Sequence, residues 1–395
     1  MSEWIKTTLA NLCTDISYGY TENAKLEKIG PKFLRITDIA SGRLEWSNVP
    51  FCSISETDFE KYKLLPGDIV IARTGATTGA NYTIKESDPK DAVFASYLIR
   101  YKIDKKIADP YFIGQLLRSP NWSEYVDAII GGSAQPGANA KQLGSFEILL
   151  PPIETQTAIA AILSSLDDKI DLLHRQNSTL EKMAETLFRQ WFIEEAKEEW
   201  ESGKLDDVLS VIESGKRPKG GIDSELIFGV PSIGAENING IGVYDFSKTK
   251  FITEEFYHSM QRGIIKDYDV LIYKDGAYVG RKGMFGNGFP FKEAAVNEHV
   301  FILRSNEKTN QFFLYFLLNQ EELEQLNANS AQPGLNQEAI KAFKIIIPPY
   351  ELMSKFGEFV KPFIDKIFFN GNQIRTLTTL RDTLLPKLMN GEIKV

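Results

Sequence analysis

Only two cysteines, Cys13 and Cys52, and three histidines occur in 395 residues. That scarcity excludes a disulfide framework and leaves no ordinary ligand set for zinc. No stretch approaches the ~18 consecutive apolar residues of a membrane span. Residues 1–6, Met-Ser-Glu-Trp-Ile-Lys, lack the apolar core of a secretory signal. The expectation is a chain of a reducing cytoplasm with no membrane partner. A phosphate-binding P-loop is absent, and no Pro-Asp…Asp/Glu-x-Lys nuclease set stands out among the acids. No cofactor and no metal are therefore expected. Basic residues are in deficit, 45 Lys and Arg against 53 Asp and Glu, for a net charge of −8. DNA-binding domains usually carry a basic footprint, yet the charge here is uneven. Acid is concentrated at Glu194, Glu195, Glu198 and Glu199, and base at Lys216, Arg217 and Lys219 and at Arg281-Lys282. Net charge alone decides little. Hydrophobic content of 43% and charged content of 25% are those of a globular chain. The length suits two or more domains.

Proline and glycine are missing from one long stretch. After Pro151-Pro152, residues 153–192 contain neither, and apolar residues recur at helical spacing. Ile159, Leu166, Leu173, Leu180 and Leu187 form one row; Ile162, Lys169, Gln176, Met183 and Gln190 form the row three residues on. About 40 helical residues span roughly 60 Å, so the stretch reads as a spacer that needs a partner. A second such stretch follows Pro348-Pro349. Its rows are Phe356, Phe363, Asn370, Leu377 and Leu384, and Val360, Ile367, Ile374, Arg381 and Leu388. Pro362 is expected to bend this helix or to delay its start. The spacing predicts a two-helix seam in which isolated polar residues set the register, in preference to two amphipathic helices lying on separate cores.

The chain is also a repeat. Trp4, Leu9, Ile16 and Gly19 recur as Trp200, Leu205, Ile212 and Gly215. Arg73-Thr74-Gly75-Ala76-Thr77-Thr78-Gly79 recurs as Lys274-Asp275-Gly276-Ala277-Tyr278-Val279-Gly280. Ser133-Ala134-Gln135-Pro136-Gly137-Ala138-Asn139 recurs as Ser330-Ala331-Gln332-Pro333-Gly334-Leu335-Asn336, 197 residues later. The Pro-Pro pairs and Asp168-Lys169-Ile170, matched by Asp365-Lys366-Ile367, keep that offset. One unit is thus written twice: a globular mixed α/β domain, then a long helix. Strands are expected at 33–39, 68–73, 94–103 and 146–150, and at 269–273, 299–304 and 343–347. Helices are expected at 111–118, 122–130 and 311–326. The boundaries read 1–150 and 201–347 for the domains, and 151–200 and 348–395 for the helices. Helices following two copies of a domain can pair antiparallel, with an approximate twofold between the copies.

This organisation resembles the specificity subunits of Type I restriction–modification systems over essentially the whole chain. The residues that carry the resemblance are the duplicated Ala-Gln-Pro-Gly loops and the strand-then-Pro-Pro endings. To these are added Ser165-Leu166-Asp167-Asp168-Lys169-Ile170-Asp171-Leu172, Leu187-Phe188-Arg189-Gln190-Trp191-Phe192, and residues 381–393. The resemblance implies two target-recognition domains joined by two long antiparallel coiled-coil helices, an internal pseudo-twofold repeat. It implies a DNA reader without a catalytic site of its own, in which each domain reads one half of a bipartite site. The implied partners are double-stranded DNA, two methyltransferase subunits docked on the helices, and restriction subunits in the full complex. The halves diverge between shared motifs, so an asymmetric target is expected.

Candidate contact residues follow from what DNA offers. Arg matches guanine edges, Asn and Gln match adenine, and Gly/Thr/Ser loops approach phosphates. Arg73, Thr74, Thr77 and Thr78 fit, as do Lys274, Tyr278, Arg281 and Lys282; the same loops are also readable as plain turns. Gln135, Asn139 and Lys141, with Gln332, Asn336 and Lys341, sit in the shared loop. What both halves share cannot distinguish two half-sites, so phosphate contact or a structural turn is expected there. Lys216, Arg217 and Lys219, expected just after the second domain's first helix, and Tyr18, Tyr20 and Lys25 in the first domain are read as phosphate contacts. Ile170, Phe188, Trp191, Phe192, Phe368 and Phe369 lie off the seam rows, too many faces for one seam to cover; packing against the protein's own domains can bury some of them, and the resemblance implies that partner subunits bury the rest.

Two other readings remain at this point. A DNA adenine methyltransferase with its own recognition domain needs an Asn/Asp/Ser-Pro-Pro-Tyr/Phe site; Ile347-Pro348-Pro349-Tyr350 begins wrongly and recurs as Leu150-Pro151-Pro152-Ile153. A coiled-coil scaffold with two protein-binding domains agrees with composition alone.

Overall fold

A computed structural model describes residues 4–40, 42–131, 137–223, 225–320 and 334–395. The chain divides into two units, Met1–Asp168 with Thr378–Val395, and Lys169–Leu377. Each therefore combines one globular half with segments of both long helices.

The first unit is built on an antiparallel sheet of Cys13–Tyr18, Leu98–Ile103, Asp68–Ala72 and Asn81–Thr83, in that spatial order. Strand Asp68–Ala72 is buried throughout, which suits its Ile-Val-Ile core. Side chains alternate across a strand. Ile69 and Ile71 accordingly join a cluster with Phe112, Ile113 and Trp122, while Val70 and Ala72 join Leu34, Phe94 and Leu98 on the other side. Helix Pro110–Leu116 starts where Asp109 accepts from the backbone N–H of Tyr111 at 2.8 Å and of Phe112 at 3.2 Å, with proline in the first turn. Strand Ile5–Thr8 pairs antiparallel with Glu147–Leu150, and Lys32–Leu34 pairs parallel with Ala92–Phe94.

The second unit repeats this topology. Leu209–Ser214, Val300–Ser305, Val270–Tyr273 and Lys282–Met284 follow in the same order, with Gly240–Ile241 added at the edge. Glu201–Lys204 pairs with Lys344–Ile347, and Val230–Ile233 runs parallel to Ala295–Val296. The repeat legible in the sequence is a repeat of fold. Three details differ from expectation. The strand begun at 33 ends at Leu34, and Ile36–Ile39 is helical. The stretch 94–103 is two strands with a turn between them. Lys216, Arg217 and Lys219 follow strand Leu209–Ser214, not a helix.

The long helices run Ile153–Arg189, prolonged by a π-helical turn over Gln190–Glu194, and Tyr350–Met389. Pro362 neither ends nor delays the second. Pro362 and Glu358, the residue whose carbonyl loses its donor, are both exposed, so that carbonyl is left on the solvent side. The pairing is antiparallel within the second unit, where Phe188 packs on Phe356 (ring centroids 5.7 Å) and Asn177 accepts from Asn370 (2.8 Å). In the first unit Asp167 pairs with Arg381 at 2.9 Å, and Leu385 and Leu388 join the cluster of Ile159 and Leu163. The central helix's second seam row is corrected. Ile162, Lys169, Gln176, Met183 and Gln190 are exposed, and the buried residues are Leu163, Ile170 and Ala184.

The repeated Asp-Lys-Ile motif has a physical role. Asp168 pairs with Lys85 at 2.9 Å, and Asp365 accepts from Asn287 at 2.8 Å and from Tyr268 at 2.7 Å. Ile170 and Ile367 are buried. In each unit the motif fastens a helix to the loop beyond the same sheet strand.

Candidate nucleic-acid interface

Three distant stretches meet at one end of the first unit's sheet. The loop after strand Asp68–Ala72 turns back at Gly79, whose N–H donates to Ala72 O at 2.8 Å with φ +90. A Cβ there would lie 2.9 Å from Val126, so the position requires glycine. Thr74 bridges Gly137, and the Ala138 N–H donates to Arg73 O at 2.9 Å, which brings in the end of the Ala-Gln-Pro-Gly loop. The Ala140 N–H donates to the Tyr18 hydroxyl at 3.1 Å. The Arg73 guanidinium lies 5.2 Å from the Tyr18 ring and 6.0 Å from that of Tyr97, while its Nε donates to Ser96 O at 3.1 Å. Arg73 is thereby held through Nε beside two exposed tyrosines. Stacked arginine suits phosphate or guanine. Thr78 donates to Gly75 O at 2.7 Å, and Thr74 and Thr77 are half-buried alongside.

The second unit builds the same cluster with different chemistry. Asp275 bridges Gly334, and the Leu335 N–H donates to Lys274 O at 2.8 Å. Lys274 lies 5.1 Å above the Phe301 ring, and Arg281 stacks on the exposed Tyr278 at 3.9 Å. Lys282 lies on the adjoining strand. His299 Nδ1 is 2.7 Å from Asp275, its Nε2 is 3.3 Å from Glu298, and the Glu298 carboxylate accepts from Arg217 Nε at 2.8 Å. Arg217, Glu298 and His299 border an open cavity of about 800 Å³ that Glu236, Lys248 and Lys250 also line. Lys216 and Lys219 are exposed beside it in sequence.

Not every expected residue joins these clusters. The side chain of Asn139 caps helix Ala140–Gly144 by accepting from Gln142 N, and that of Asn336 caps Gln337–Lys341 by accepting from Ala339 N. Each is engaged with its own backbone, the structural alternative for the shared loop. Lys341 pairs with Asp206 at 3.5 Å, and Lys141 is exposed. Tyr20 adjoins the cluster through its backbone, its carbonyl accepting from the Ser96 N–H at 2.8 Å, while its ring lies tilted against Tyr62 at 5.3 Å; exposed Lys25 donates its N–H to Phe51 O. Gln135 and Gln332 lie outside the described residues. The residues missed are Ser96 and Tyr97, with Asp275, Glu298 and His299. Their signal was available: the repeat aligns two dissimilar side-chain sets on one turn.

The helix aromatics need correction. Ile170, Phe188, Phe192 and Phe368 are buried within the second unit, where Phe188 and Phe192 meet Phe313 at 5.6 Å and 4.9 Å. Phe188 and Phe192 are covered by the domain's own helix Gln311–Gln320, and Phe368 stacks on Phe289 at 6.2 Å, so these rings are not open to a partner. Trp191 is half-buried against Phe356 and Phe359, and Phe369 is exposed. The exposed apolar residues follow the repeat: Ile153, Ile162, Leu172 and Met183 on one helix, Tyr350, Phe359, Phe369 and Leu380 on the other, each pair 197 apart. Among the described residues no group of metal ligands occurs, and no helix is long and apolar enough to cross a membrane.

Comparison with known proteins gives one direction. The family model for the Type I restriction modification DNA specificity domain matches twice, at residues 1–182 and 197–379. The MjaIX specificity subunit of Methanocaldococcus jannaschii, a Type I restriction enzyme component, is 30% identical over 349 residues, covering 83% of this chain and 76% of that protein. The HindI specificity subunit of Haemophilus influenzae is 23% identical over 468 residues and is matched end to end. The crystal structure of a Type I restriction–modification S subunit from M. genitalium superposes with a TM-score of 0.60 at 17% identity, over 98% of this chain and 96% of that one.

Proposed function

This chain belongs to the Type I restriction modification DNA specificity family, and from that premise we propose that it is the non-catalytic, sequence-reading subunit of a restriction–modification complex. The observation that carries the reading is one loop scaffold bearing two chemistries. The same backbone bonds, Ala138 N to Arg73 O and Leu335 N to Lys274 O, hold Arg73, Thr74, Ser96 and Tyr97 in one half and Lys274, Asp275, Glu298 and His299 in the other. Phosphate contacts position a reader and base-edge contacts specify the sequence. A common frame with divergent tips therefore suits two half-sites of one asymmetric DNA target. In this reading residues 1–150 and 201–347 are the recognition domains, and 151–200 and 348–395 are the spacer helices that fix the gap between half-sites.

Two methyltransferase subunits are the proposed partners on the helices, with restriction subunits joining that core. The repeat-matched exposed residues support the count. At ~100° per residue, Ile162, Leu172 and Met183 fall within about 80° of one another on their helix, and Phe359, Phe369 and Leu380 repeat that arrangement. Two equivalent apolar stripes suit two copies of one protein better than one copy.

Exchange of residues 1–150 for the same region of a relative, followed by mapping of methylated bases, tests the reading. One half of the methylated motif should change and the other should stay. A motif altered in both halves, or in neither, overturns it. Methyl incorporation from S-adenosylmethionine by the purified chain alone would restore the methyltransferase reading.

A further inference from the structure

Glu298 is an anomaly among the second domain's basic loops. Its Oε1 accepts from Arg217 at 2.8 Å and lies 3.3 Å from His299, whereas its Oε2 is buried and has no hydrogen-bond partner. It borders the cavity of about 800 Å³ together with Arg217, Lys248, Lys250, Asn297 and a second carboxylate, Glu236, which is paired with Lys250 at 2.6 Å. A buried carboxylate oxygen without a donor is costly, and a carboxylate facing phosphate is repelled. Among the groups of duplex DNA, a carboxylate can accept only from base amines; the strongest match is the cytosine N4 amine in the major groove.

The first domain has no such group. Backbone bonds define the equivalent position without reference to side chains. Arg73 N donates to Tyr97 O as Lys274 N donates to His299 O, Ala95 N to Leu34 O as Asn297 N to Ile233 O, and Leu98 N to Ala95 O as Val300 N to Asn297 O. Glu298 therefore stands where the first domain has Ser96. This is a place where the shared frame changes from a neutral hydroxyl to an acceptor-only carboxylate, and where two different half-sites require a change.

Resting on the reading of this chain as a DNA specificity subunit, we propose that Glu298 is a base-reading residue of the second domain, that its side chain, 29% exposed to the cavity, turns so that the carboxylate accepts from the N4 amine of a cytosine in that half-site, and that Arg217 and His299 hold it in position. Lys248 is paired with Asp245 at 3.1 Å and Lys250 with Glu236 at 2.6 Å, so flanking phosphates fall to the exposed Lys216 and Lys219.

The test uses the assembled complex of this chain with its methyltransferase subunits, with mapping of methylated bases on a plasmid library randomised across both half-sites. The variants are Glu298→Gln and Glu298→Ser, the second installing the first domain's residue. The expected result is a loss of about tenfold in discrimination at one C·G pair of the second half-site, with the first half-site and the gap unchanged. A uniform fall in methylation with an unaltered motif overturns the proposal and makes Glu298 a support for Arg217 and His299. An unchanged motif at full activity overturns it as well. Failure of the underlying reading is distinguishable, since the unsubstituted complex would then show no bipartite motif at all.

Discussion

Asp167 on the central helix accepts from Arg381 on the C-terminal helix at 2.9 Å, and the repeat-related positions, Ile364 and Ala184, are apolar and buried. The reverse asymmetry holds farther along. Asn370 donates to Asn177 at 2.8 Å, where the matching pair is Leu173 and Ile374. Each repeat of the seam thus carries one polar contact that the other lacks. Isolated polar groups in an apolar seam specify register at some cost in stability.

Asp167 also accepts from Gln115 and Arg118, both at 2.7 Å. Burial pushes its carboxyl up, but Arg118, Gln115 and Arg381 outweigh burial and leave it below the ordinary range. A depressed folded value contributes stability above the unfolded value, near ~3.9, and loses it as pH falls through the folded one. Asp167→Asn is therefore expected to destabilise the first unit by about 2 kcal/mol at pH 7. The difference from the parent should shrink as pH drops below about 4. Urea unfolding followed at several pH values measures this; a constant difference contradicts it.

Glu181 carries the opposite sign. Burial, then the charge of Glu185, raises its carboxyl from 4.5 to about 7, against one backbone hydrogen bond from Ile241. The folded state thus holds a proton that the unfolded state releases earlier. No penalty is present below pH 4.5; it grows between 4.5 and about 7 and is complete above. Glu181→Gln is expected to stabilise the second unit at pH 8 by about 1–3 kcal/mol, reduced from the full shift because the side chain is partly exposed. At pH 4.5 it should change little. Equal melting shifts at the two pH values would sink this account.

Legibility in the sequence followed the kind of signal. The duplicated fold was readable because recurring Gly and Pro mark shared backbone geometry; the contact of Arg73 and Thr74 with Gly137 and Ala138 was not, since recurrence does not say which loops touch. The central helix's second row was misread as Ile162 to Gln190 because heptads admit more than one phase. Carrying the C-terminal row Val360, Ile367, Ile374 and Arg381 back by 197 residues gives Leu163, Ile170, Asn177 and Ala184, the correct face. Asn139 was also readable, since Asn139 and Gln142 have capping-box spacing. The burial of Phe188 was not. It depends on Phe313 and Phe316, more than a hundred residues away, and local periodicity says nothing about such partners.

Exposed and buried aromatics on the helices should separate docking from folding. The double substitution Phe359→Asp and Phe369→Asp alters two exposed residues, so melting should shift little while co-purification with the methyltransferase subunit is lost. Phe188→Asp removes a buried ring, a change worth about 3–5 kcal/mol even to alanine, and should unfold the second unit. Retained co-purification of a folded Phe359/Phe369 double variant would count against the stripes as docking surfaces.

The proposed role of the helices as a ruler makes the most demanding prediction. Four residues inserted after Ser178 add ~6 Å of rise and about 1.1 helical turns. The near-integral turn keeps most apolar residues facing the seam, so assembly should survive. Asn177 lies before the insertion and keeps its bond to Asn370; Ala184 and Phe188 lie after it and must carry the added length. At ~3.4 Å per base pair, the gap between half-sites should grow by up to about 2 bp, with both half-sites unchanged. Methylation mapping that instead returned new bases in either half-site, at an unaltered gap, would show that the helices do not set the spacing.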